Sequence, residues 1–155
     1  MYVYGLSFFP ECYEGHVNSR ILAVDPGEKR LGIAISDPTA TIANPLMVIK
    51  HVSRAIDAAQ ISQAAVDQDV YKIIVGQALD VDGTPSPQGR SAARLADAIK
   101  LQTDLPVELW DESGSTQEAR AARIAMGVQR RKRRGHLDDL AATVILQSYL
   151  DAHDK

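Results

Sequence analysis

The stretch RILAVDPGEKRLGIAISD, residues 20–37, decides the fold of this chain. Two hydrophobic runs flank a short link, and the first run ends in Asp25-Pro26-Gly27, which favours a turn. Because only a few residues separate the two runs, the strands that they predict must pair antiparallel. The fold is therefore expected to begin with a β-hairpin whose turn follows Asp25 directly.

Three further segments have the pattern of buried strands: NPLMVIKH (44–51), YKIIVGQAL (71–79) and PVELWDE (106–112). The first follows the hairpin closely and predicts another antiparallel pair. Each of the other two follows a helical segment, and strand–helix–strand links force parallel pairing with right-handed crossovers. We therefore expect an α/β domain with a five-stranded mixed sheet, three antiparallel strands and then two parallel ones, with helices on both faces.

Helical periodicity and capping signals mark four segments: 53–68, 91–100, 115–127 and 136–151. In the first, Ile56, Ala59 and Val66 fall on one side. The third opens with a capping box, in which Ser115 is followed three residues later by Glu118. A loop rich in turn formers, DVDGTPSPQG (80–89), precedes the second. The predicted order is βββαβαβαα.

Length and composition bound the class of protein. The chain has 155 residues, 45% of them hydrophobic, which suits one globular domain. We assign this domain to residues 20–152 and treat residues 1–19, which make a poor signal peptide, as an N-terminal extension. The single cysteine, Cys12, excludes an internal disulfide and favours a cytoplasmic location. No apolar run approaches the ~20 residues of a membrane span, so no membrane partner is expected.

Basic residues concentrate in one part of the chain. The net charge is only −3, yet no acidic residue occurs between Arg120 and His136. A cationic segment on an otherwise acidic chain favours a polyanionic partner, although a solvated loop is the alternative. We call its continuous part the basic block, which consists of Arg130, Arg131, Lys132, Arg133 and Arg134.

The last predicted helix carries a carboxylate where a core residue belongs. At ~100° per residue, Asp138 falls in line with Ala142, Ile145 and Tyr149, whereas Gln147 marks the opposite, polar face. Desolvating an ionised side chain alone costs on the order of several kcal/mol, so Asp138 needs a partner. An arginine or lysine, a cluster of donors or a metal ion would serve.

Two more carboxylates close predicted strands: Asp25 ends the first and Glu112 ends the fifth. Ligands gather where the carboxyl ends of such strands meet, and Asp138 is the third acid expected there. Three converging carboxylates repel one another unless cations are present. Oxygen ligands without a Cys/His cluster favour one or two Mg²⁺ or Mn²⁺ ions. Such ions suit phosphodiester hydrolysis, and the basic block makes nucleic acid the expected substrate.

Four motifs resemble, in order and spacing, those of the YqgF/RuvX family of RNase H-like nucleases. They are VDPGEKRLGIAISD, IIVGQALDVDGTPSPQ, LWDESGST and LDDLAATVILQSYLD, and they span residues 21–151. The resemblance implies an RNase H-like fold and a metal-dependent nuclease that matures the 5′ end of 16S ribosomal RNA or, alternatively, cuts Holliday junctions. It places the family's catalytic and metal-binding acids on Asp25, Glu112 and Asp138.

The sequence departs from the usual family pattern at three places. Ser113 stands where arginine usually follows the Asp-Glu pair, so a basic contact is missing that the basic block could replace. Gln77-Ala78 stands in place of Leu-Pro, which predicts a less rigid loop. Gly135 stands where related four-carboxylate resolvases carry an acid, so we expect three acidic ligands.

Other residues near these motifs have supporting roles. Gly27 is expected to allow a close backbone approach to a metal or phosphate in the turn after Asp25. Ser115 and Thr116 are expected to be helix caps rather than nucleophiles, because no histidine or lysine is placed to activate them. Lys29 and Arg30, in the first hairpin, are candidates to contact phosphate.

Three functional hypotheses remain open. The favoured one is a metal-dependent endonuclease acting on structured RNA or branched DNA, as a monomer or a homodimer. The second is a catalytically weak nucleic-acid-binding module, motivated by Ser113 and the basic block. The third is an actin-like or sugar-kinase-like ATPase, which shares Asp-x-Gly after the first strand but needs two such domains to close over a nucleotide.

Overall fold

The computed structural model describes residues 18–79, 82–111 and 138–153. The predicted helix 115–127 and the basic block lie outside these residues. The described elements are β1 (Ile21–Asp25), β2 (Arg30–Ser36), β3 (Ala43–Lys50), α1 (Arg54–Asp67), β4 (Lys72–Gln77), α2 (Pro87–Lys100), β5 (Val107–Asp111) and α3 (Asp138–His153).

The five strands form one mixed sheet in the order β3-β2-β1-β4-β5. The β1–β2 hairpin is antiparallel, with Asp25 opposite Gly32, and β2 pairs antiparallel with β3. The strand β4 pairs parallel with both β1 and β5. The predicted arrangement of three antiparallel strands followed by two parallel ones is therefore confirmed.

This topology gives the sheet two chemically different edges. Because β1, β3, β4 and β5 all run in the same direction, their last residues meet at one edge and their first residues at the other. We call the first the carboxyl edge and the second the amino edge. The carboxyl edge carries Asp25, Lys50, Gln77 and Asp111, and the amino edge carries Ile21, Ala43, Lys72 and Val107.

Alternation along the strands divides the core into two layers. Leu22 and Val24 of β1 pack with α1 and α2 on one face, whereas Ile21 and Ala23 pack with α3 on the other. Helices therefore cover both faces of the sheet, as predicted. No helix among the described residues is long and apolar enough to span a membrane.

The helix α1 packs on the sheet through a different side from the one that the hydrophobic pattern marked. Ile56 is 46% exposed, Val66 is 67% exposed, and Ala59 is exposed as well. The buried side is formed by small or polar residues and one isoleucine, which are Asp57, Ala58, Ile61, Ser62, Ala64 and Ala65. The pattern was misleading because alanines let the helix approach the sheet closely and because a buried aspartate was not expected on the packed side.

The helix α2 begins at Pro87, four residues before the predicted start. Ser86 caps it by accepting a hydrogen bond from the Gly89 N–H at 3.0 Å, and proline is favoured at the first helical position. A Cβ on Gly89 would lie 2.2 Å from the Ala78 carbonyl oxygen, so this crossover needs glycine. The Gln77 amide donates to the Gly89 carbonyl at 3.1 Å, which ties down the loop that Gln77-Ala78 was expected to loosen.

Candidate active site at the carboxyl edge

Asp25 occupies the last position of β1, on the face of the sheet that α3 covers. It shares the alternation of Ile21 and Ala23, which pack against α3. The hairpin turn holds this position, because a Cβ on Gly27 would lie only 2.3 Å from the Arg30 carbonyl oxygen. The turn therefore needs glycine at position 27, whereas the expected approach of its backbone to a metal or phosphate stays a prediction.

Cationic side chains surround the same turn. Lys29 and Arg30 are exposed at the start of β2, and Arg30 lies opposite Lys50 in the sheet. The His51 N–H donates to the Lys29 carbonyl oxygen at 2.9 Å, which joins the hairpin tip to the end of β3. Both residues predicted to contact phosphate therefore lie at the carboxyl edge.

At the end of β5, alternation separates the two acids of the Asp-Glu pair. Val107 packs with the α1/α2 core, whereas Trp110 packs with the α3 core, 5.1 Å from the Tyr149 ring between centroids. Asp111 follows the alternation of Val107, so it belongs to the face opposite to Asp25. Glu112, the next residue, lies outside the described residues.

The direction of α3 follows from hydrogen bonds in its second half. Gln147 accepts from the Ala43 N–H at 2.9 Å and donates to the Thr41 carbonyl at 3.1 Å, and Tyr149 accepts from Lys72 at 2.8 Å. All three partners lie at or beside the amino edge, so the helix begins toward the carboxyl edge. The expectation that Gln147 faces away from the sheet was wrong, because this side of the helix meets the start of β3.

Asp138 is the first residue of α3 and therefore lies toward the carboxyl edge. It precedes Gln147 by two and a half helical turns, roughly 13 Å. The strand β1 covers roughly the same distance between Ile21 and Asp25. Ala142 and Tyr149, the residues with which the helical period aligns Asp138, are both buried.

The structure thus brings two of the three predicted acids, Asp25 and Asp138, to the same end of the sheet. Glu112, Ser115, Thr116 and the basic block lie outside the described residues. Among the described side chains no group of three His, Cys, Asp or Glu residues could hold a metal ion. The donors at this edge are carboxylate oxygens, which is the chemistry that Mg²⁺ and Mn²⁺ prefer. The carboxylate of Asp25, the one triad side chain that the structure describes, suits such an ion.

Sequence reasoning missed a polar cluster beside this site. Asp57, only 2% exposed, accepts hydrogen bonds from His51 Nδ1 at 2.5 Å and from the Val52 N–H at 3.1 Å. His51 directly follows β3, and Arg54 is the first residue of α1. The signal available in the sequence was the basic run Lys50-His51 before the helix cap Ser53, with an aspartate one turn into the helix.

Solved structures share this architecture. Thermus thermophilus RuvC, in complex with a Holliday junction substrate, matches with a TM-score of 0.60 at 14% identity, over 86% of this chain and 94% of that one. Fowlpox virus resolvase, in complex with Holliday junction DNA, matches with a TM-score of 0.56 at 16% identity, over 88% and 99%. The fold is that of the RNase H-like nucleases.

Sequence relatives narrow the class further. A protein of Thermoanaerobacter pseudethanolicus named "Putative pre-16S rRNA nuclease" is 40% identical over 86% of this chain and 96% of its own length. A protein of the same name from Syntrophus aciditrophicus is 41% identical over 86% and 89%. The family model described as RuvX, Holliday junction resolvase, matches residues 19–152. The chain belongs to the RuvX (YqgF) family, as its motifs predicted.

Proposed function

We propose that this chain is a cytoplasmic, metal-dependent endonuclease that hydrolyses phosphodiester bonds in structured RNA during 5′-end maturation of pre-16S ribosomal RNA. Membership of the RuvX family and the names of its relatives support this substrate. The observation that carries the proposal is the position of Asp25 and of the first residue of α3, Asp138, at one edge and on one face of the sheet.

Asp25, Glu112 and Asp138 are the proposed ligands of one or two Mg²⁺ or Mn²⁺ ions. Glu112 directly follows Asp111 in the sequence, and the alternation of β5 favours Glu112 over Asp111 as the acid that joins Asp25. When bound, such ions lower the pKa of a water molecule and stabilise the leaving oxygen of a phosphodiester. The carboxylates from three separate elements would hold that position.

The remaining residues bind and orient the substrate. Lys29 and Arg30 lie beside Asp25 and supply positive charge for a strand that crosses the carboxyl edge. The basic block is proposed to contact further phosphates, independently of base sequence. Ser115 and Thr116 are proposed to cap the helix that the sequence predicts after Glu112, and so to support the position of that acid.

A branched DNA substrate is the second candidate. Both structural neighbours named above were solved with Holliday junctions, and the family model bears the resolvase description. A resolvase cuts two symmetric strands and favours a two-fold dimer, whereas trimming an RNA end suits a monomer. The oligomeric state on each substrate therefore separates the two candidates.

A cleavage assay tests the proposal and chooses between the substrates. The full chain is incubated with a precursor 16S RNA fragment and with a four-way DNA junction, in Mg²⁺, in Mn²⁺ and in a chelator. We expect metal-stimulated products, their loss in Asp138→Asn, and their retention in the matched control Asp139→Asn, since Asp139 lies at the edge of the polar helix face. Equal cleavage by Asp138→Asn and the wild type would refute the assignment.

A further inference from the structure

A cleft of about 260 Å³ opens beside the turn that follows Asp25. The turn residues Pro26 and Gly27 form one wall, and Leu31 and Leu95 supply its apolar part. The polar part consists of His51, Ser53, Arg54 and Ser91, with the buried Asp57 behind them. We call this the His51–Arg54 cleft.

Asp57 fixes the orientation of the His51 ring. A carboxylate only accepts hydrogen bonds, so the 2.5 Å contact places a proton on His51 Nδ1. Asp57 also accepts from the Val52 N–H, so its buried charge is paired on both oxygens. His51 Nε2 has no hydrogen-bond partner within the parts of the chain that the structure describes. This second ring nitrogen is therefore available to hydrogen-bond a ligand.

Arg54 adds a fixed positive charge to the same cleft. Its side chain is exposed, and across residues 18–79, 82–111 and 138–153 it makes no ion pair or side-chain hydrogen bond. A guanidinium donates two parallel hydrogen bonds to phosphate oxygens. Arg54 is also the first residue of a 14-residue helix, whose amino end carries a partial positive charge.

The charges around the cleft favour an anion. The Lys29 carbonyl oxygen accepts a hydrogen bond from the His51 N–H, so the cationic hairpin tip adjoins this wall. A neighbouring cleft shares Pro26, Gly27 and Ser91 but carries the Glu28 carboxylate. Because the Asp57 carboxylate is buried and hydrogen-bonded on both oxygens and Glu28 does not line the first cleft, the exposed guanidinium of Arg54 favours a phosphate there, beside His51.

We infer that the His51–Arg54 cleft binds a backbone phosphate of the substrate strand on the α1/α2 side of the carboxyl edge. Gly27 on the cleft wall lies two residues beyond Asp25, at most about 7 Å along the chain. Asp25 itself belongs to the α3 side, so the phosphate bound in this cleft is not the one that is cleaved. His51, Arg54 and the hydroxyls of Ser53 and Ser91 would then position the strand, without taking part in bond cleavage. This inference rests on the proposed nuclease function, since it assigns a second contact of the same substrate.

The main test measures binding and turnover separately. The double variant His51→Gln/Arg54→Ala is compared with the control His153→Gln/Lys100→Ala. The control also removes one histidine and one positive charge, but far from this cleft. Fluorescence anisotropy in metal-free buffer should show a Kd raised roughly tenfold in the first variant alone, with a salt slope reduced by about one unit or more. In the cleavage assay KM should rise while kcat changes little, because the contact is made equally in the ground and transition states.

Further results distinguish failure of the inferred phosphate site from failure of the proposed nuclease function. Arg54→Lys should recover part of the affinity, because it keeps the charge and loses the two-pronged geometry. An unchanged Kd and salt slope in the double variant would overturn the inference even if the wild type cleaves. If the wild type cleaves nothing, the proposed function fails, while the metal-free binding data still test the cleft. Binding of inorganic phosphate and of a 5′-mononucleotide is followed through the NMR signals of the His51 ring. If either binds more tightly than the nucleic-acid strand, the inference is also overturned.

Discussion

The two edges of the sheet use polar side chains in opposite ways. At the amino edge, the Ser36 hydroxyl accepts from the Ile21 N–H at 2.9 Å and donates to the Asp37 carbonyl. Lys72 donates to the Tyr149 hydroxyl at 2.8 Å, and this contact raises the pKa of Lys72, while burial raises the pKa of Tyr149. These polar groups bind one another and stabilise the fold.

At the carboxyl edge, polar and charged groups line clefts instead. His51, Arg54 and Ser91 face a cleft, and Asp25 ends its strand beside the turn that forms the cleft wall. The difference follows from topology, because the last residues of β1, β3 and β4 lead into turns and helix starts at this edge. Substitutions at the carboxyl edge should therefore affect activity more than stability, and those at the amino edge the reverse.

The largest expected effect is loss of cleavage in Asp25→Asn. Removing one charged metal ligand should lower kcat/KM at least about 100-fold, which corresponds to about 2.7 kcal/mol. The matched control is Asp111→Asn, an acid at the end of β5 on the opposite face. The measurement is initial cleavage rate in Mg²⁺ together with thermal unfolding. Similar losses in both variants would mean that the alternation of the strands does not select the catalytic acid.

The next largest effect is expected for Gly27→Ala. The added Cβ would lie 2.3 Å from the Arg30 carbonyl oxygen, so the hairpin backbone has to move, at a cost of about 1–3 kcal/mol. Because Asp25 precedes this turn, activity per folded molecule should fall too. Gly83→Ala is the control: its φ of +87° strains alanine, but nothing lies within 4 Å. Urea unfolding measures the stability of both variants, and cleavage rates measure their activity. An unchanged activity in Gly27→Ala would mean that the turn does not position the active site.

Ser36→Ala should show the reverse behaviour at the amino edge. It leaves the Ile21 N–H without its acceptor in a buried position, which costs about 1–3 kcal/mol. Cleavage by the folded protein should stay at the wild-type rate. Ser62→Ala is the matched control, because the Ser62 hydroxyl is buried with no hydrogen-bond partner among the described residues. If Ser36→Ala lost activity while remaining folded, the assignment of a structural role to the amino edge would be contradicted.

The smallest effect is expected for Asp37→Ala, in the turn between β2 and β3. Hydrogen bonds from the Ile42 N–H and then the Thr39 hydroxyl lower the pKa of Asp37 to about 2. A lowered pKa stabilises the fold above the unfolded value near 4, and this contribution disappears as pH falls toward 2. Because Asp37 is only partly buried, the variant should lose at most about 1 kcal/mol at pH 6 and less at pH 3. Urea unfolding at both pH values, with Asp104→Ala as control, measures this; a pH-independent difference would contradict it.

The sequence was sufficient to predict the sheet because its signals are local. The turn formers after Asp25 and the alternating hydrophobic runs specify the hairpin and the strands, and the structure confirms their order. The α3 residues Ala142, Ile145 and Tyr149 are buried as the helical period predicted. These features depend on neighbours in the chain, so periodicity reports them directly.

The features that were missed depend on contacts between distant elements. The packed side of α1 carries Asp57, whose burial is compensated by His51 beyond the helix start, and hydrophobic pattern alone excluded such a residue. Gln147 was assigned to solvent because its partners, Ala43 and Thr41, are more than a hundred residues away. The convergence of Asp25 with Glu112 and Asp138 stays a prediction for the same reason.

The central claim is that Asp25, Glu112 and Asp138 hold a divalent cation at the carboxyl edge. Paramagnetic broadening of backbone amide signals by Mn²⁺, measured by NMR on the full chain, tests it most directly. We expect the amides of Asp25, Gln77 and Asp111 to broaden first and those of Ile21, Ser36 and Lys72 not to broaden, and we expect Asp138→Asn to weaken the effect. Broadening centred on the amino edge, or unchanged in Asp138→Asn, would contradict it.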